Sequence, residues 1–304
     1  MPAAYFHEAV ARKAFARIGG APQPEAVWIL GAQGPDPLFF YRTLHPRHNK
    51  AVNRMGDTIH SMHTGRFLCQ LVRLAKTGGE AAQSYALGFL AHYACDTTLH
   101  PFVYAHSFNR KGRYKGMRHL CLEAQMDSWA WREDGRRATP LHYAQFPDKP
   151  QLEQAAALLS AALARVFPAE PVSPSAIEQA FRDAKAICRL LYSPHGVKFS
   201  LFWILERVIC FPCLVTGLIP PRWLPRKDFL NKEGQQWSSP WEPERSRCES
   251  VPELMEQAVT CAARWMALAR DYWDGRAALA DLAAALGDMH YSSGLAWRAT
   301  RPIA

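Results

Sequence analysis

His92, Asp96 and His100 stand four residues apart in GFLAHYACDTTLHPF, residues 88–102. On a helix, positions i, i+4 and i+8 share one face, so this spacing puts two imidazoles and a carboxylate in one row. The other side chains are mostly Phe, Leu, Ala, Tyr and Cys on all sides, the pattern of a helix buried all round. An unpaired buried polar group costs roughly 2–7 kcal/mol. The row therefore needs partners, either a buried polar network or a metal ion. His119 and Glu123 in RHLCLEAQMD repeat the i, i+4 spacing, which suits two ligands on one metal. Asp36 lies in GAQGPDPLFFY between two prolines that restrict the local backbone. His60 lies in GDTIHSMHTGRF, with His63 three residues on as a candidate supporting group, and His7 opens the chain in FHEAVA.

These residue types fit zinc, which takes His nitrogen and carboxylate oxygen, with one position left to water in catalytic sites. Bound zinc lowers the pKa of that water to about 7 and makes hydroxide available at neutral pH. Two or three close ions can also neutralise a phosphate and stabilise the leaving oxygen. Asp96, between two histidines, could bridge two ions. His45, His48, His106, His142, His195 and His290 read as surface or satisfied residues.

The elements that must position these groups are helical. Helices are predicted over 4–17, 23–31, 53–77, 80–99, 117–133, 150–166, 174–192, 198–218, 252–272 and 275–287, and strand alternation is nearly absent. The fold class is all-α, a multi-helix bundle. Pro101 is expected to stop the buried helix just past His100. Ser173 ahead of Pro174, or Ser175 with Glu178, can start the helix at 174. Ten of the twelve histidines precede residue 145. This divides the chain into a helical domain that would carry any chemistry, residues 1–145, and an additional C-terminal helical region packed on it, residues 146–304.

A hydrophobic content of 49 % with 21 % charged residues excludes a disordered chain. The net charge of +9 favours anionic partners. The eight cysteines form no visible disulfide framework, and Cys210 and Cys213, in CFPC, lack a second ligand pair or a βαβ context. Buried, reduced cysteines suit the cytoplasm. MPAAYFHEAVARKAF has no basic segment followed by an apolar run, so no signal peptide is expected. Residues 199–223 are the most hydrophobic segment, but Glu206, Arg207 and Pro212 interrupt it. A bilayer span wants about 20 apolar residues with few charges, so the segment reads as a buried core helix or an interfacial one. In the interfacial case Trp203, Phe211 and Trp223 are the membrane-contact candidates. The expected location is cytoplasmic, with peripheral contact on the inner face of the membrane.

FHEAVA, LGAQGPDPLFF, GDTIH, GFLAHYACDTTLHPF and RHLCLEAQMD, in this order, resemble the bacterial zinc-dependent phospholipase C family over roughly residues 1–130, less clearly to 145. That family is similar in fold to single-strand-specific zinc nucleases. The resemblance implies two or three Zn2+ ions. Asp36, His60, His92 and Asp96 would hold one, His100, His119 and Glu123 a second, and His7 a third, with Asp96 bridging to it. It also implies Asp36 as the base that touches the attacking water. The implied activity is a phosphodiesterase on glycerophospholipids, in which a zinc-bound hydroxide attacks phosphorus and diacylglycerol and a phosphorylated head group leave. Two alternatives stand beside it. One is a single-strand nuclease or other phosphoesterase on the same cluster, with nucleic acid as partner. The other is a non-catalytic, zinc-stabilised, membrane-associated scaffold.

Overall fold

The computed structural model describes residues 4–43, 45, 50–109, 112–135, 145–193, 195–209, 211 and 214–300. Cys210, Cys213, His48 and His142 lie outside the described residues. The helices are α1 (Ala4–Arg17), α2 (Glu25–Gly31), α3 (Ala51–Ser61), α4 (Thr64–Ala75), α5 (Gly79–Ala105), α6 (Gly116–Glu133), α7 (Lys149–Val166), α8 (Pro174–Leu191), α9 (Val197–Val208), α10 (Val251–Trp273) and α11 (Leu279–Leu286). A two-stranded hairpin, β1 (Trp237–Ser239) and β2 (Glu242–Arg247), lies in the Pro- and Trp-rich stretch. The all-α expectation holds.

α5 is the axis of the molecule. Twenty of its 27 residues are buried, because α1, α2, α4, α7 and α10 surround it. The α2–α5 crossing is close enough for backbones to touch. A Cβ on Gly31 would strike the Tyr85 carbonyl, and one on Gly88 would strike the Trp28 carbonyl. This crossing delivers the short 3-10 turn Asp36–Phe40, which follows α2, beside His92 on α5. α10 lies along α5 and α1, so the core is continuous between the two halves of the chain.

Local chemistry sets the starts of α8 and α10. The Ser173 hydroxyl accepts from the Ala176 amide, with Pro174 at the first helical position, so the earlier of the two possible starts of α8 is used. Ser250 and Glu253 form a reciprocal cap on α10.

Four expectations are corrected. Pro101 does not end α5, which runs on to Ala105. Proline removes one donor, and the carbonyl so released, that of Thr97, is covered by Gly294 at φ +66°. The predicted helix 53–77 breaks at Met62 and His63, where His63 is left-handed. Asp288 from far along the chain caps the new helix through the Gly65 amide at 2.9 Å and the Thr64 hydroxyl at 3.1 Å. The predicted helix 198–218 stops at Val208. The core-helix alternative for this segment fails, since Glu206 is the sole buried residue of α9.

Candidate metal centre

Four packing events bring the ligands together. The first is at α1, whose early amides lack helical acceptors. Asp127 on α6 accepts from the Phe6 amide at 2.8 Å and supplies negative charge where the helix dipole favours it. His7 is thereby turned inward, 3 % exposed. The second is at Gly34, φ +55°, which turns the chain flat against His92; a Cβ there would fall inside the imidazole. The turn leaves Asp36 at the cluster, between Pro35 and Pro37. The third is at the end of α3, where His60 Nδ1 lies 2.7 Å from the Gly56 carbonyl and the ring stacks on Phe39 at 5.4 Å. The fourth is α5 itself, which aligns His92, Asp96 and His100 opposite His119 and Glu123 of α6.

The eight expected ligands all converge. His60 Nε2 is 3.1 Å from Asp36 Oδ1 and 3.6 Å from Asp96 Oδ2. His92 Nε2 is 3.9 Å from Asp36 Oδ1 and 3.2 Å from Asp96 Oδ2. These four residues therefore close a ring. The other oxygen of Asp96, Oδ1, faces His7 Nε2 at 3.5 Å and His100 Nε2 at 3.7 Å. Glu123 Oε1 lies 3.1 Å from both His100 Nε2 and His119 Nε2. Ligand atoms on one tetrahedral zinc stand about 3.3–3.6 Å from one another. The observed separations bracket that edge length. Groups that could hold an ion are His60, His92 and Asp96; His7, Asp36 and His92; and His100, His119 and Glu123.

Electrostatics argue the same way. Asp36, Asp96 and Glu123 are buried, and among the described residues their ion pairs run only to histidines. Burial raises the pKa of each carboxyl, yet the neighbouring imidazoles outweigh it and hold all three below the usual carboxylate range. The reciprocal effect lifts His100, against its burial, to about 9 through Asp96 and Glu123, and raises His92 through Asp96 and Asp36. Burial, aided by the charge of His92, pushes His7 down to about 3, so its nitrogen is bare. Among the described residues no Lys or Arg pairs with these buried anions, and buried anions call for cations in the same space. Hydrogen-bond distances from His60 Nδ1 to Gly56 and from His92 Nδ1 to the Ala32 carbonyl, 3.2 Å, fix the tautomers that leave Nε2 to a metal. The residues fit zinc.

Three features escaped sequence reasoning. Cys95 joins His7 and Asp96 in a further group, but burial raises its thiol well above the ordinary value, which keeps it protonated. Tyr291 donates its amide to the His60 carbonyl at 2.9 Å and packs its ring 4.8 Å from His60 and 5.9 Å from His92. The neighbouring His290 is held at about 4 by burial and by the charges of His60 and His100. No helical spacing links these C-terminal residues to the ligands. His63, the proposed supporting group, instead turns to Trp297 at 5.0 Å and Phe167 at 6.2 Å.

The cluster is graded in depth. Asp96 and His92 are enclosed, whereas Asp36, His60, His100 and His119 keep side-chain exposures of 10–14 %. On the His119 side Tyr104 stands 4.8 Å away, in contact with Tyr114 at 5.2 Å and Trp241 at 4.9 Å. This is a polar floor with an aromatic wall. Trp203 (46 %), Phe211 (58 %) and Trp223 (64 %) are exposed and do not join it. The family model for zinc-dependent phospholipase C matches residues 6–166, just over half of the chain, and all eight candidate ligands fall within that match. No curated protein and no solved structure matched the chain.

Proposed function

This chain belongs to the zinc-dependent phospholipase C family, and on that premise we propose that it is a phosphodiesterase hydrolysing glycerophospholipids to diacylglycerol and a phosphorylated head group. The observation that carries the reading is the convergence of three buried carboxylates and five imidazoles, with Asp96 facing a different ligand set from each oxygen. Zinc ions bound there would supply Lewis acidity to phosphoryl oxygens and lower the pKa of a water at the site.

The chain's own residues supply the rest. Asp36 sits at the open edge of the cluster, held ionised by His92 and His60, and is placed to orient a water and take its proton. Water adds to phosphorus, the bond from phosphorus to the diacylglycerol oxygen breaks, and that oxygen leaves with a proton. His92 and Asp96, both buried, would hold the metals and exclude solvent from the floor. Tyr104, Tyr114 and Trp241 offer an apolar wall to the glycerol side of the substrate.

A metal-binding unit over residues 1–145 with residues 146–304 packed on it remains our proposed division; α10 packing on α5 and α1 supports it. A cytoplasmic location is likewise proposed, and the lack of any disulfide among the six described cysteines supports it.

The test is turnover of zinc-loaded protein on short-chain phosphatidylcholine, with a chelator control and single-stranded DNA run alongside. Asp36→Asn should keep most of its zinc and lose roughly 10²–10⁴-fold in turnover, the usual share of a general base. Unchanged turnover removes Asp36 from the mechanism. The aromatic wall could also stack bases, which keeps the single-strand nuclease as second reading. Cleavage of DNA without release from lipid would select it. Full zinc occupancy with neither activity would select the scaffold.

A further inference from the structure

α9 carries its apolar stripe on the outside. Val197, Leu201, Ile204, Leu205, Val208 and Ile209 follow the spacing i, i+4, i+7, i+8, i+11, i+12, which places them on one face. A core helix would bury that face. Here the six are 49–75 % exposed. The helix is instead anchored by its opposite side. Glu206 points inward and accepts from the amides of Val215 and Thr216 at 2.6 and 2.8 Å and from the Thr216 hydroxyl at 2.6 Å. Exposed Phe211, Leu214 and Trp223 extend the apolar area beyond the helix.

The exposed charge of the chain segment that carries this area has one sign. Between Asp183 and Asp228 the chain carries seven Lys and Arg residues and one acid, Glu206, which is the buried one. Two of the arginines lie over exposed indoles, Arg207 on Trp203 at 4.7 Å and Arg222 on Trp223 at 5.3 Å. Indoles and guanidinium groups side by side suit the headgroup level of a bilayer, where one end is apolar and the other wet.

We infer that α9 and the adjoining Trp223 loop form a docking surface for anionic phospholipid bilayers, with the aliphatic stripe lying in the plane of the interface. Twelve residues of helix reach about 18 Å, too short to span. No described helix is long and apolar enough to cross a membrane. A second copy of the chain fits less well, because an isologous contact would press the same basic rim against itself. A cavity of about 310 Å³ beneath Trp203 and Trp223 is floored by Cys121 and Gln125 of α6. The same helix presents His119 and Glu123 to the metal centre, so docking surface and metal centre share one rigid element.

The test is co-sedimentation of the full zinc-loaded chain with vesicles of phosphatidylcholine alone and with 30 % phosphatidylglycerol (roughly a third anionic lipid, enough to set a negative surface potential), at low and high salt. Lipid phosphorus recovered afterwards reports hydrolysis separately, so docking and the proposed reaction can fail independently. Binding should need the anionic lipid and weaken with salt. Arg222→Ala with Arg226→Ala should weaken it about 30-fold. Leu201→Ser with Val208→Ser should weaken it at least about tenfold with an unchanged melting temperature, since both side chains already face solvent. Equal binding by these variants and the parent overturns the inference. So does a parent protein that ignores vesicles, or one that sediments as a dimer which Leu201→Ser with Val208→Ser converts to monomer.

Discussion

Gly34→Ala separates backbone strain from ligand placement. Gly34 sits at φ +55°, and its missing side chain is replaced in space by the His92 ring. Left-handed backbone costs an L-residue about 1–2 kcal/mol. At roughly 2.1 cal/mol/K of unfolding entropy per residue, a 304-residue chain with one continuous core shifts about 1.5 °C per kcal/mol, so the metal-free variant should melt about 1.5–3 °C lower. The added methyl must also push the imidazole away from Asp96 Oδ2, now 3.2 Å from Nε2. Displacing a group that orients a metal ligand typically costs 10–100-fold in affinity, about 1.4–2.7 kcal/mol. The control is Gly275→Ala, at φ +77° with no atom near its virtual Cβ, which carries the backbone cost alone. Zinc affinity is measured by competition with a chromophoric chelator, and melting with and without zinc. Equal zinc affinity in Gly34→Ala and the parent, with melting shifts matching Gly275→Ala, would refute the claim that this glycine exists for His92.

Tyr291→Ala removes a fully buried ring from between His60, His92 and Tyr93; it should cost about 3–5 kcal/mol in urea unfolding and weaken zinc binding as well. Tyr291→Phe should be near neutral, within about 1 kcal/mol, because the phenol oxygen makes no hydrogen bond within the protein. In the metal-free protein the pKa of His100 is about 9, above its ordinary 6.5, so at pH 7 its ring is protonated and must lose that proton to bind metal. Zinc affinity should therefore rise by about tenfold per pH unit from this group up to pH 9 and then level off, and calorimetry in buffers of differing ionisation enthalpy should register proton release. Gly88→Ala drives a methyl into the Trp28 carbonyl and should cost about 1–3 kcal/mol by thermal unfolding, since two backbones must part.

The convergence of the candidate ligands was legible because most lie at short spacings that a helix converts directly into geometry. His92, Asp96 and His100 needed only the 3.6-residue turn, as did His119 and Glu123. Asp36, His60 and His7 have no such link to the α5 row, and only the resemblance to a family joined them to it. The break at His63 was illegible because its cap, Asp288, comes from the far end of the chain. Tyr291 escaped for the same reason: nothing local distinguishes a tyrosine in MHYSSG that will seal a metal centre from one that will not. α9 misled in the opposite way. Its pattern is that of a core helix, and only the packing shows which face Glu206 has claimed. Pro101 was read by its usual effect on helices, whereas α5 continues through it to Ala105.

The metal centre draws on His7 near one end of the chain and on Tyr291 near the other. A ribosome delivers these residues in order, with the rest of the candidate ligands made between them. His60 gains its covering ring and its carbonyl partner only after residue 291 has emerged, long after Glu123, the last candidate ligand in the sequence. Until then three carboxylates and five imidazoles stand ready without the piece that closes over them. Covering of the site thus waits on residue 291, and a chain cut short before it carries all eight candidate ligands yet lacks the Tyr291 ring that packs on His60.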